Sequence, residues 1–261
     1  MAMDLEYRID GPVSAPVLVL SNSLGTTWTL WDAQFSSFIK RFRVLRYNTR
    51  GHGNSPLPAR EMNLALLGQD VVDLLDHLNI PCASFCGVSL GGLTGLWLNL
   101  RYPQRFSQFV LANTALRIGN QEAWLTRARR VRAEGLSPVV ATSAQRWFTE
   151  DYIRHKPGVV ANMLEGLATL SPTGYAACCE VLARADLRAD AADISRPVLM
   201  IAGQEDPVTT IADAQQVVDT VADAALCVLP ASHLANIACA REFTRQTLNF
   251  LLRGETHGAH H

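Results

Sequence analysis

The sequence predicts an α/β fold, a doubly wound and mostly parallel sheet carrying one helical insert. Three observations lead there. Short apolar runs alternate with longer segments of helical period. Several of those runs are apolar throughout rather than alternating, as expected of parallel strands covered on both faces. One stretch, 120–192, carries helical pattern with no convincing strand. With 261 residues, 48% hydrophobic and 18% charged, the chain is long enough for one large domain or a core with a smaller insert, and too apolar to be disordered throughout.

Taken in order, the expected strands are Val17–Leu20, Arg43–Tyr47, Ala83–Cys86, Phe109–Ala112, Pro197–Ala202 and Ala225–Leu229. Leu64 to Leu78 sets Leu67, Val71, Leu74, Leu75 and Leu78 at helical spacing, and Asn79-Ile-Pro81 ends it. Leu90 to Arg101, Ile211 to Val221 and Arg241 to Leu252 also read as helices. Repeated strand and helix make a parallel doubly wound sheet, whose sites lie at the carboxyl ends of the strands. The 120–192 stretch is punctuated by Gly135, Pro138, Pro157, Gly158 and Pro172 and is too long for a loop. It is expected to be a helical cap lying over the strand ends as a lid. The division is therefore a core of 1–119 and 193–254, a cap of 120–192, and a flexible tail of 255–261 that holds His257, His260 and His261.

Lys+Arg number 23 against 24 Asp+Glu, a net charge of −1 with no block of one sign. A nucleic-acid groove or a polybasic membrane patch would need a basic excess. No apolar run approaches the ~18 residues of a spanning helix, and acids stand at the N-terminus where a signal peptide needs bases, so a cytoplasmic protein is expected. The six cysteines form no Cys-x-x-Cys pair, and adjacent Cys178 and Cys179 are badly placed for a structural bridge. They are expected to be mostly buried free thiols, neither disulfides nor metal ligands.

Gly87-Val-Ser-Leu-Gly91 is a G-x-S-x-G sequence whose setting gives it weight. The Ala83–Cys86 strand runs directly into it and the Leu90–Arg101 helix runs directly out. A serine on so sharp a turn is strained, and small neighbours let the backbone pass close by. The helix start presents free N–H groups and a positive dipole beside Ser89. The plainer alternative is a serine at an ordinary helix start.

A serine nucleophile needs a base and a carboxylate to orient it. Pro230-Ala-Ser-His233 follows the last strand, at the same sheet edge as Ser89. His77 lies inside a helix, His155 in the insert and His52 in a Gly-rich loop, so His233 is the expected base. Gly203-Gln-Glu-Asp-Pro207 brings two adjacent acids to that edge. Asp206 is preferred because Pro207 restricts the residue before it, with Glu205 the alternative. Oxyanion donors are expected from the backbone N–H of Leu90, after the nucleophile, and from the Ser21-Asn-Ser-Leu-Gly25 turn, where the Leu24 N–H is favoured.

Ser89, Asp206 and His233 in this chain order, with the Asn22-Ser-Leu-Gly25 turn and Arg50-Gly-His-Gly-Asn-Ser55, resemble the α/β-hydrolase superfamily across nearly the whole chain. The closer resemblance is to bacterial 3-oxoadipate enol-lactonases. It is carried by Leu20-Ser-Asn-Ser-Leu-Gly25, Phe42-Arg-Val-Leu-Arg-Tyr47, Phe85-Cys-Gly-Val-Ser-Leu-Gly-Gly-Leu-Thr-Gly95, Asn113-Thr-Ala115 with Arg117-Ile-Gly119, and Arg146-Trp-Phe-Thr149. Asn22-Ser23 stands where many superfamily members have His-Gly, and Asn48 where many have Asp.

The resemblance implies an α/β-hydrolase fold with an inserted lid, and hydrolysis of the 3-oxoadipate enol-lactone in the β-ketoadipate pathway of aromatic catabolism. It implies an acyl-enzyme on Ser89 and no metal or organic cofactor. The partner it implies is a small lactone with a carboxylate arm, which an arginine fork suits. Arg117 and Arg127, with Arg129, Arg130, Arg132 and Arg146, are the available guanidiniums, and Trp124 and Trp147 are the available apolar walls. Against this, an arginine-rich run is commonly a solvated helix face, and tryptophans also pack lid cores. The alternatives are a carboxylesterase, a perhydrolase, a hydrolase of carbon–carbon bonds in ring-fission products, or a small-molecule receptor on the same fold. Dehalogenase and epoxide-hydrolase chemistry is disfavoured, because those members carry Asp where Ser89 stands.

Overall fold

The computed structural model describes residues 4–253, which leaves the 255–261 tail outside the described residues. The apolar runs form strands of one seven-stranded sheet. They are β1 (Tyr7–Asp10), β2 (Val17–Ser21), β3 (Arg43–Tyr47), β4 (Ala83–Val88), β5 (Phe106–Ala112), β6 (Val198–Gly203) and β7 (Ala224–Leu229), in spatial order β1-β3-β2-β4-β5-β6-β7. From β3 to β7 every pairing is parallel, while β1 runs antiparallel to β3 with Tyr7 opposite Tyr47. Every residue of β4 and β6 is buried, which explains why these segments read as unbroken apolar runs.

β1 was not expected from the sequence. It is four residues long, half-exposed and placed at an edge, so it lacks the burial that marks the central strands. β5 begins three residues earlier than its apolar run, at Phe106, because Ser107 and Gln108 extend it outside the fully buried region. Inside the sheet's helical flank, Phe106 packs on Phe109 at 5.3 Å and meets Phe85 edge-on at 5.8 Å.

Helices cover both faces. A short α1 (Asp32–Phe38), also unexpected, links β2 to β3. α2 (Leu64–His77) starts where the Asn63 side chain accepts the Leu66 N–H, and it buries Leu67, Val71, Leu74 and Leu75. α3 (Leu90–Arg101) follows β4 directly. Chain connections leave β2 and β4 in opposite directions, so the crevice between their carboxyl ends is the switch point at which such sheets bind ligands.

Between β5 and β6 the described residues form five α-helices and no strand: α4 (Gln121–Glu134), α5 (Ser137–Trp147), α6 (Glu150–His155), α7 (Pro157–Ala168) and α8 (Pro172–Arg184). They meet the body at the carboxyl edge of the sheet. The Leu234 N–H donates to the Trp147 carbonyl at 3.0 Å and the Ser232 hydroxyl donates to the Arg146 carbonyl at 3.0 Å. On the opposite side, α8 crosses the loop after β3, where a Cβ on Gly174 would stand 2.0 Å from the Gly51 carbonyl oxygen. α9 (Ile211–Thr220) opens with a Thr210–Asp213 capping box, and α10 (Ala235–Ala238) and α11 (Ala240–Leu252) close the described chain. Among the described residues no helix is long and apolar enough to cross a membrane.

Candidate active site

The passage from β4 to α3 is a single residue wide. Ser89 holds it at φ 56° and ψ −114°, a left-handed conformation that a non-glycine residue adopts only under constraint. The constraint is visible: the Ser89 N–H donates to the Ala112 carbonyl at 2.9 Å, and the Leu93 N–H returns to the Ser89 carbonyl at 2.8 Å. Both flanking glycines are required by close approach. A Cβ at Gly87 would lie 2.4 Å from the Gly91 carbonyl oxygen, and one at Gly91 would lie 2.3 Å from that of Ser21. A side chain at either position would open the turn that holds Ser89 up.

Two loops at the same edge meet this serine. The Gln204 N–H donates to the Leu229 carbonyl at 2.8 Å and the Glu205 N–H to the Ala231 carbonyl at 2.9 Å, tying the loops after β6 and β7 together. His233 Nε2 lies 2.9 Å from Ser89 Oγ, and His233 Nδ1 lies 2.8 Å and 3.0 Å from the two Asp206 carboxylate oxygens. All three side chains are buried. Asp206 also accepts the Val208 N–H at 2.8 Å, the Thr209 N–H at 3.1 Å, the Thr209 hydroxyl at 2.9 Å and the Asn113 side-chain amide at 3.0 Å. Burial by itself pushes its pKa up. The adjoining His233, and the hydrogen bonds from His233, Asn113 and the Val208 N–H, outweigh that and hold it below the usual carboxylate range. Glu205 points outward and is exposed, so of the two adjacent acids only Asp206 reaches the imidazole.

A family model described as the alpha/beta hydrolase fold matches residues 16–237. The chain belongs to the α/β-hydrolase family. It is 47% identical over 239 residues to 3-oxoadipate enol-lactonase 2 of Acinetobacter baylyi, covering 92% of this chain and 90% of that one. It is 41% identical to 3-oxoadipate enol-lactonase 1 of the same organism, with the same coverage. The crystal structure of the enol-lactonase from Burkholderia xenovorans LB400 superposes with a TM-score of 0.93 at 42% identity, covering 95% of this chain and 96% of that one.

In this α/β-hydrolase Ser89 and His233 open onto a cavity of about 30 Å³. Ser23 and Leu24 form one wall, and Trp124, Arg127, Arg146, Trp147 and Tyr175 from the helical insert form the other. A second hollow, about 540 Å³, lies between α4 and α5 and shares Arg127 and Arg146 with the first. The two guanidiniums thus stand between the serine and the outer hollow. Arg127 lies over the Trp124 ring at 4.7 Å. Arg146 donates to the Thr142 and Ser143 hydroxyls at 2.6 Å and 2.7 Å. Among the described residues neither is paired with a carboxylate. Burial, and then the Arg127 charge, pull the Arg146 pKa below its ordinary value, the signature of a cation short of a counter-ion.

Not every expected residue arrives here. Arg117 is absent from the cavity wall and lies 3.6 Å from Asp186, a carboxylate that Arg188 also grips. A nearby acid has claimed it, which its position in the sequence did not reveal. Arg129 and Arg130 face solvent on α4, Arg130 pairing with Glu134 at 3.3 Å, and Arg132 pairs with Glu180. Trp124 lines the cavity and also donates its indole N–H to the Ile118 carbonyl at 2.6 Å, so its wall and packing roles coincide. The sequence assigned no role to Asn113, Thr209 or Tyr175, although Asn113 stands in a stretch that carries the resemblance. Asn113 had a signal, a polar residue closing an apolar strand at the functional edge. Tyr175 had none, because helical pattern alone does not say which face of α8 looks inward.

Asn22 and Asn48, the departures from the superfamily pattern, tie neighbouring loops into the framework. The Asn22 amide donates to the Tyr47 carbonyl at 2.9 Å and its oxygen accepts the Trp31 indole N–H at 2.9 Å. The Asn48 oxygen accepts the Trp28 N–H at 2.8 Å. Among the described residues there is no group of three or more His, Cys, Asp or Glu that could hold a metal ion.

Proposed function

We propose that this α/β-hydrolase opens the enol-lactone of 3-oxoadipate, with Ser89 as nucleophile, His233 as general base and acid, and Asp206 as the carboxylate that orients and supports the imidazole. The observation that carries the reading is the 2.9 Å approach of Ser89 Oγ to His233 Nε2 beneath two guanidiniums that, among the described residues, lack a carboxylate partner. The similarity to two 3-oxoadipate enol-lactonases of Acinetobacter baylyi gives the substrate its name.

His233 takes the Ser89 proton as Oγ attacks the lactone carbonyl, while Asp206 stabilises the imidazolium. The oxyanion is received by the backbone N–H groups of Leu24 and Leu90; the latter opens α3, where no intrahelical acceptor exists. Collapse breaks the ring C–O bond, and the departing enolate takes the proton from His233 before tautomerising to the ketone. Water deprotonated by His233 then cleaves the acyl-enzyme and releases the dicarboxylate.

Residues 120–192 act as the cap that completes the site, with residues 1–119 and 193–254 as the core. The substrate's acetate arm is held by Arg127 and Arg146, and Trp124 and Trp147 keep water from the ring. A neutral aryl ester would leave both guanidiniums uncompensated, which favours an anionic lactone over a simple ester. We place the enzyme in the cytoplasm, in the β-ketoadipate pathway, where its six free thiols are at home. A substrate panel tests the assignment. Rapid ring-opening of the enol-lactone with slow turnover of neutral aryl esters is expected, and the reverse ranking would reject it.

A further inference from the structure

We propose that His52 is a positioning residue for the reaction: its Nε2 accepts the Gly25 N–H at 3.0 Å and thereby fixes the turn that presents the Leu24 N–H to the oxyanion. The inference rests on the reading of Ser89 as nucleophile and Leu24 as oxyanion donor, and it assigns work to a buried imidazole that the triad does not use.

The geometry of the turn carries the argument. A trans peptide is planar, with its N–H opposed to the preceding C=O. The Ser23 carbonyl accepts both the Thr26 N–H at 3.2 Å and the Thr26 hydroxyl at 2.7 Å, which pins the plane containing the Leu24 N–H. The next plane contains the Gly25 N–H, and His52 holds that one. With both planes held, Leu24 between them has no free backbone rotation, and Ser23 and Leu24 stay in the wall facing Ser89. Gly25 takes φ +79°, a conformation that glycine visits easily and leaves easily, so the turn would drift without an outside clamp.

The clamp is itself rigid. His52 Nδ1 lies 3.3 Å from the Arg50 carbonyl, so the tautomer protonated at Nδ1 leaves Nε2 free to accept. Its backbone N–H donates to the Thr49 carbonyl at 2.9 Å, the Gly51 N–H to the Ser55 carbonyl at 3.0 Å, and Arg50 grips Asp70 with two 2.7 Å hydrogen bonds. Burial pulls the His52 pKa down to about 4, so the ring stays a neutral acceptor in the working range. A histidine serving only to fill space would not need its lone pair on a backbone N–H.

Two variants separate position from bulk. His52→Gln carries an oxygen out to about where Nε2 stood, whereas the acceptor of His52→Asn stops short of Gly25. His52→Asn is expected to lose about 10- to 100-fold in kcat, with KM within about threefold, while His52→Gln keeps most of the rate. Affinity for a boronic acid that mimics the tetrahedral oxyanion should fall with kcat in His52→Asn, and affinity for the dicarboxylate product should hold. Equal rates in the two variants, or equal losses of boronate and product affinity, would overturn the proposal. If His52→Asn does not fold, the full-length wild-type enzyme still decides by nitrogen NMR. A scalar coupling across the Gly25 N–H···Nε2 bond supports it, and no coupling overturns it. Ser89→Ala serves as the control: full activity there removes the nucleophile reading, whereas a dead Ser89→Ala beside an unimpaired His52→Asn removes only the His52 proposal.

Discussion

The Asn113 side-chain amide donates to Asp206 at 3.0 Å and to the Ser232 carbonyl at 3.1 Å, so one side chain at the end of β5 braces the acid and the loop bearing the base together. Asn113 sits at φ +48° to do so. Asn113→Ala removes a hydrogen bond that lowers the Asp206 pKa. We expect kcat to fall about tenfold and the acidic limb of the kcat/KM profile to move to higher pH, because Asp206 then holds its proton to higher pH. A full pH–rate profile of the variant checks both.

Removal of the nucleophile should be far more severe. Ser89→Ala is expected to lower kcat by about a millionfold if the three side chains act as a unit, with an unchanged circular dichroism spectrum. A loss of tenfold or less would dismiss Ser89 as the attacking group. Relief of the left-handed φ is not expected from this change, since alanine is no more at ease there than serine.

The two guanidiniums in the cap can be tested by substrate choice. Arg146→Met and Arg127→Met should each lower kcat/KM for the carboxylate-bearing lactone by roughly tenfold or more, the scale of one charge-assisted hydrogen bond. Turnover of a neutral ester should change by less than about threefold. Equal losses on both substrates would show that the arginines only support the cap.

Stability should depend on pH through His52. Its folded-state value of about 4 lies below its ordinary 6.5, so between those limits the unfolded chain binds a proton that the folded one refuses. Stability from this group is fully present above about 6.5 and is lost as pH falls toward about 4, on the order of 3 kcal/mol in all. Urea midpoints at pH 7 and pH 4.5 should show the decline, and His52→Gln should lose less across the same window.

How much could be read from the residues alone depended on how strongly burial marks them. β4, Ser89 and α3 were legible because an apolar run, a small-residue turn and a helical period follow without a gap. β1 was not, since an edge strand with mixed exposure leaves little pattern. Within Arg127-Ala-Arg-Arg-Val-Arg132, the buried faces of Trp124, Ala128 and Val131 turn Arg127 inward and leave Arg129 and Arg130 outside. That sorting was available from helical spacing once Trp124 was taken as facing inward. The pairing of Arg117 with Asp186 was not available, because it joins segments that only the folded chain brings together.

The bare crossing of Gly51 and Gly174 limits how this scaffold could be re-engineered. A Cβ on either glycine would collide with the backbone of the other at 2.5 Å or less. A chimaera that grafts a foreign cap onto this core would therefore need a residue without a side chain opposite position 51, or the transplanted helices would ride up and leave Ser89 open to bulk solvent.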